Sequence, residues 1–193
     1  MSAMQIEISV QVNPELDAIA ASPTTPASPQ RSQPDLPTET TWQHWFQQWV
    51  ELLSPELSPI QSYELGLLLT DDHEIQTLNA HYRQVNQPTD VLAFAALEAD
   101  HPQSPELLST LPLYLGDIVI SVNTAQRQAQ QQSCFLEQEL AWLASHGLLH
   151  LLGWDHPDEA HLMQMLDQQA RLLRAVGFQI SANFQQIWGF LGS

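Results

Sequence analysis

The chain has 193 residues, with 5 basic side chains against 22 acidic ones, for a net charge of −17 at pH 7. That length supports a core without disulfides, and a hydrophobic share of 44% with six tryptophans excludes disorder throughout. No lysine occurs, and the basic groups are Arg31, Arg83, Arg127, Arg171 and Arg174. No basic stripe is available to hold a long nucleic-acid backbone unaided, so work on a phosphate has to rely on a few arginines, a metal ion or a basic partner.

Residues 1–12 lack the cationic and apolar regions of a secretory signal. Apolar runs such as residues 65–69 and 148–152 fall far short of the roughly 20 residues that cross a bilayer. The expectation is a cytoplasmic protein with no membrane association. Cys134, the single cysteine, cannot form an internal disulfide and reads as a small buried or half-buried apolar residue.

Residues 4–12 alternate apolar and polar side chains and predict a first strand. Residues 16–41 carry Pro23, Pro26, Pro29, Pro34 and Pro37 among Ala, Ser, Thr and Gln, the composition of an extended, flexible insert. Trp42, Trp45, Phe46, Trp49 and Leu53 then recur at helical spacing, so residues 41–53 predict a helix whose aromatic face belongs to the core. A second strand is expected over 63–70, and Asp71 followed by Glu74 marks a helix start leading into Ile75, Leu78 and Tyr82. Strands over 89–96 and 115–122 flank a loop at 98–113, and 123–132 reads as helical.

Residues 140–152 are apolar nearly all the way round and predict a helix buried on most sides. Its polar interruptions, Ser145, His146 and His150, are costly there without compensation. Gly153 ends it. A last helix is expected from Pro157, with Asp158 and Glu159 in its first turn, through Leu162, Leu166 and Leu173 to Gly177.

His146 and His150 are four apart, one above the other on a helix, and can bite a single ion. Gly153 lets the chain turn, and His156 follows at the reach that returns a third imidazole to the same point. Three neutral imidazoles leave a fourth tetrahedral position open, as in catalytic zinc sites, although other divalent transition metals also suit such ligands. The spacing matches H-E-x-x-H-x-x-G-x-x-H, but Gly147 stands where that peptidase frame has its general-base glutamate. Peptide hydrolysis is therefore disfavoured.

The stretches NAHYR at 79–83, PTDVLAF at 88–94, LGDIVIS at 115–121 and the run from Glu139 to His156 together resemble the YbeY family of single-strand-specific endoribonucleases and ribosomal RNA maturation factors. The likeness covers most of residues 42–177. It implies that His146, His150 and His156 are the metal ligands and that Arg83 is the active-site arginine. It also implies a zincin-like site helix, single-stranded RNA as substrate, and partnership with a small-subunit ribosomal protein and a GTPase. Ala93 departs from the serine usual in the family. Asp117 and Asp155 are candidates to orient a histidine, Asp155 alternatively to cap the next helix, while Ser145 and Glu139 read as packing and solubility residues.

The expected architecture is α+β: one domain over residues 1–193, with a mixed four-stranded sheet, β-α-β connections early, and helices carrying the metal site against it. The insert at about 16–41 and an extension at about 178–193 are additions. The leading expectation is a zinc-dependent endoribonuclease acting on the 3′ end of small-subunit 16S rRNA and in ribosome quality control. A metallopeptidase-like hydrolase and a non-catalytic assembly factor with a structural zinc are the alternatives.

Overall fold

A computed structural model describes residues 4–14, 16, 36–98 and 109–180. Residues 17–35 of the Pro-rich insert, 99–108 of the expected loop and 181–193 of the extension lie outside the described residues.

Four strands form one sheet: β1 (Gln5–Val12), β2 (Ser62–Thr70), β3 (Val91–Ala95) and β4 (Leu113–Ser121), in the order β1-β2-β4-β3. β1 pairs with β2 and β2 with β4 in parallel, whereas β3 runs antiparallel to β4. The sheet is mixed, as expected. Alternation sends Leu65, Leu67, Leu69, Ile118 and Ile120 into the main core. Leu68 and Val119 point the other way, into a smaller cluster with Ile75, Leu92 and Phe94.

Among the described residues five α-helices accompany the sheet: α1 (Glu39–Leu53), α2 (Asp72–Arg83), α3 (Val122–Gln132), α4 (Leu136–Leu151) and α5 (Glu159–Ala175). The helix α1 begins two residues inside the expected insert because Thr38 caps it, its side chain accepting from Thr41 N. Its Trp42, Trp45, Phe46 and Trp49 are buried in mutual edge, tilted and stacked contacts, with ring centroids 5.0–6.2 Å apart. Trp49 Nε1 donates to Leu172 O at 2.9 Å, which fastens α1 to α5. The start of α5 differs from expectation: Asp158 is the cap, accepting from His161 N at 2.9 Å, and the helix begins at Glu159 rather than Pro157.

The helix α4 packs on β3 and β4 and lies against α3 and α5. Its almost continuous apolar surface requires this, and eleven of its sixteen residues are buried. Ser145 Oγ donates to Trp142 O at 2.8 Å, so its hydroxyl is satisfied inside the helix. Glu139 is fully buried, which corrects its reading as a solubility residue. Its Oε2 accepts from Cys134 Sγ at 3.8 Å, and its Oε1 has no hydrogen-bond partner among the described residues. Burial pushes this carboxyl up to about 8, so at neutral pH it is mostly uncharged.

Helix and sheet approach closely at Gly147. A Cβ there would stand 2.8 Å from Ile118 Cγ2 and 3.1 Å from Ile118 Cδ1. Alanine would gain about 1 kcal/mol of helix propensity, while overpacking a filled core costs about 1–3 kcal/mol. Crowding is therefore expected to win: Gly147→Ala lowers the stability measured by urea unfolding, and an unchanged or raised midpoint would show that α4 sits further from β4.

Candidate metal centre

The last two turns of α4 carry His146 and His150 on one face, and the chain then reverses. Gly153 makes that reversal at φ +86°, a left-handed conformation that glycine adopts without strain. Gly153 N donates to His150 O at 2.9 Å and Trp154 N to Leu149 O at 3.0 Å, which fixes the path into residues 154–156. Asp155 Oδ1 accepts from His156 N at 2.8 Å. Asp155 thus holds the backbone of His156, and the cap of α5 is Asp158.

These connections bring the three imidazoles together. Ring centroids are 4.6 Å apart for His146–His150, 5.3 Å for His150–His156 and 5.7 Å for His146–His156. One ligand nitrogen from each ring lies within 4.8 Å of the others, so the group could hold a metal ion. The Nε2 atoms of His146 and His150 are 3.0 Å apart. Two nitrogens bound at about 2.0–2.1 Å to one tetrahedral ion would lie roughly 3.3 Å apart, so the pair is nearly at ligand spacing.

Burial suits the donors to that role. His146 is pushed down to about 4, by burial first and by the neighbouring His150 second. His150 is also lowered, by burial, then by His156, with the Arg83 charge adding to the shift. Both imidazoles are therefore mainly neutral at pH 7 and offer a lone pair.

A residue absent from the sequence reading completes the arrangement. Gln169 on α5 is fully buried; its Nε2 donates to Trp142 O at 3.3 Å, which leaves its Oε1 as acceptor 3.3 Å from His146 Nδ1. The proton of His146 is thereby held on Nδ1 and Nε2 is left to ligate. Only the crossing of α4 and α5 creates this contact between residues 23 apart, so no spacing rule could have found it.

The imidazoles line a cleft of about 630 Å³, together with Arg83, Asp90, Trp154, Asp155 and other residues. Arg83 is the exposed last residue of α2, beyond which Gln84 turns at φ 62°. Asn79 pins that turn: Val85 N donates to its carbonyl at 3.3 Å, and its Nδ2 donates to Gln87 O at 2.8 Å. Asp90, also missed from the sequence, accepts from Val91 N at 2.8 Å and from Gln128 Nε2 at 2.9 Å. Asp117 is not at the cleft. It is exposed in a groove with Gly66, Tyr82 and Phe94, so its expected role in orienting a histidine is corrected. Its neighbour Ile118 faces the main core and the α4 helix, and strand alternation turns Asp117 away.

If Gln169 positions His146, Gln169→Leu should fold yet bind zinc about 10- to 100-fold more weakly. Competition titration against a chelator measures this, and unchanged affinity would remove Gln169 from the account.

The chain matches the family model described as Endoribonuclease YbeY over residues 29–177. It is 64% identical over 147 residues to Endoribonuclease YbeY of Trichormus variabilis, covering 76% of this chain and 83% of that protein. Against Endoribonuclease YbeY of Acaryochloris marina it is 54% identical over 170 residues, 88% of this chain and 94% of the other. A solution structure from Thermotoga maritima aligns with a TM-score of 0.46 and 23% identity over 73% of this chain and 86% of that one. With its family model spanning most of its length and relatives this similar, the chain belongs to the YbeY endoribonuclease family.

Proposed function

We propose that this chain is a zinc-dependent endoribonuclease that cuts phosphodiester bonds in single-stranded ribosomal RNA, serving small-subunit 3′-end maturation and ribosome quality control. The observation that carries this reading is the convergence of His146, His150, His156 and Arg83 on one cleft in a chain of this family. The three histidines hold the ion, and the whole chain acts as one catalytic domain. The reading places the enzyme in the cytoplasm. Among the described residues no helix is long and apolar enough to cross a membrane.

When bound, the ion supplies Lewis acidity at a phosphoryl oxygen and a lowered pKa for water. The chain's own residues bind and orient. Arg83, exposed and lining the cleft, offers a planar guanidinium that can grip two phosphate oxygens and so meet charge that builds during bond cleavage. Gln169 keeps the proton of His146 on Nδ1. Asp90 and Asp155 line the cleft but spend carboxylate oxygens on Val91 N, Gln128 and His156 N. Gly147 has no carboxylate and no room for one, which argues against the peptidase alternative.

The acidic composition also bears on partners. A chain with net charge −17 and no lysine gains little from the RNA backbone itself. A basic small-subunit ribosomal protein would hold enzyme and substrate together, and a GTPase is the second partner proposed from the family.

Cleavage of a single-stranded RNA by Arg83→Ala and by His150→Ala tests the reading. Arg83→Ala is expected to retain zinc and lose about 100-fold or more in turnover, whereas His150→Ala loses both zinc and cleavage. Undiminished cleavage by Arg83→Ala would overturn its phosphate role. The product ends name the nucleophile: a 2′,3′-cyclic phosphate reports the ribose hydroxyl, and a 3′-hydroxyl reports water.

A further inference from the structure

Among the residues that line the cleft, Arg83 is the one permanent cation, set against Asp90 and Asp155. Two other arginines are engaged elsewhere: Arg127 pairs with Asp72 at 2.8 Å, and Arg171 donates to Gln168 at 2.8 Å. Arg83 and a divalent ion at the three histidines can both act on the phosphate at this site, but a single phosphate contact gives little counterion release and leaves the neighbouring nucleotides without a cation to hold them. Affinity for the neighbouring nucleotides has to come from something indifferent to charge. Stacking on an aromatic ring meets that need, and any base can supply the face once it is unpaired.

The tryptophans among the described residues divide on this point. Trp42, Trp45, Trp49 and Trp142 are 0–4% exposed, whereas Trp154 is 36% exposed and lines the cleft. The backbone at Trp154 is fixed by its N–H bond to Leu149 O and by the Gly153 turn before it. It precedes His156 by two residues, so the indole is carried on the same short segment as one of the clustered imidazoles. A large apolar surface left partly in water, beside the only polar cluster of this kind among the described residues, is what a stacking subsite requires.

We infer that Trp154 is a stacking platform for an unpaired nucleobase next to the phosphate held between Arg83 and the three histidines. The inference rests on the reading of this cleft as an RNA-cleaving site and deepens it. It supplies a physical reason for single-strand selectivity, because a base within a duplex already has both faces covered by its neighbours.

The test uses the full chain loaded with zinc and a short non-cleavable 2′-O-methyl RNA strand, with binding read by fluorescence anisotropy. Trp154→Leu, which keeps bulk but not the ring, is expected to weaken binding about five- to 150-fold, and Trp154→Phe to keep most of it. Replacing bases by abasic sites should weaken binding to the parent chain and make no difference to Trp154→Leu. The salt dependence of the parent should be shallow, with a log–log slope of about −0.7 for one phosphate contact. Zinc content is measured on each variant, and the Leu–Phe comparison is made at equal metal occupancy. Trp154→Leu binding as tightly as the parent, or losing the same factor on abasic substitution, would overturn the inference. A parent chain that binds no single-stranded RNA would instead overturn the functional reading beneath it.

Discussion

A helix that is apolar on almost every side has to be buried on almost every side. The helix α4 meets that constraint by pressing into the sheet until Gly147 adjoins Ile118. The rest of the site follows from this contact. Once one side of α4 is committed to β3 and β4, His146 and His150 are left at the cleft, half-buried rather than solvated. Burial then keeps them neutral, and neutral imidazoles are the form that binds a cation. The residue that makes the close packing possible is also the residue that removes the peptidase glutamate.

Support for the site comes from elements remote in sequence. The aromatic face of α1 anchors α5 through Trp49 and Leu172, and α5 in turn places Gln169 under His146. The end of α2 delivers Arg83 to the cleft. Loosening the aromatic cluster would therefore reach the imidazoles through α5, without touching them directly. The acidic composition fits the same picture: with so little positive charge, selection of a substrate falls to the cleft rather than to long-range attraction.

Much of this was legible in the sequence, for identifiable reasons. Period-two strands and the aromatic repeat of α1 stand out because each has a single buried face to satisfy. The histidine trio stands out because its spacing combines a helical turn with a glycine reversal. Asp117 was misread, although Ile118 beside it belongs to the core and alternation alone places Asp117 on the opposite face. Glu139 was misread too, and it lies two helical turns before His146 on a helix with almost no exposed side. Gln169 and Asp90 were not readable at all. Their roles arise from how α5 crosses α4 and how β3 begins, and a linear pattern carries neither angle.

The central claim is that three imidazoles and no other side chain hold one ion. X-ray absorption spectroscopy of the full chain with one equivalent of zinc tests it most directly. Three imidazole nitrogens at about 2.0–2.1 Å with one further light-atom ligand are expected. Sulfur scattering, four protein ligands in a closed shell, or unchanged spectra after His156→Ala would contradict it.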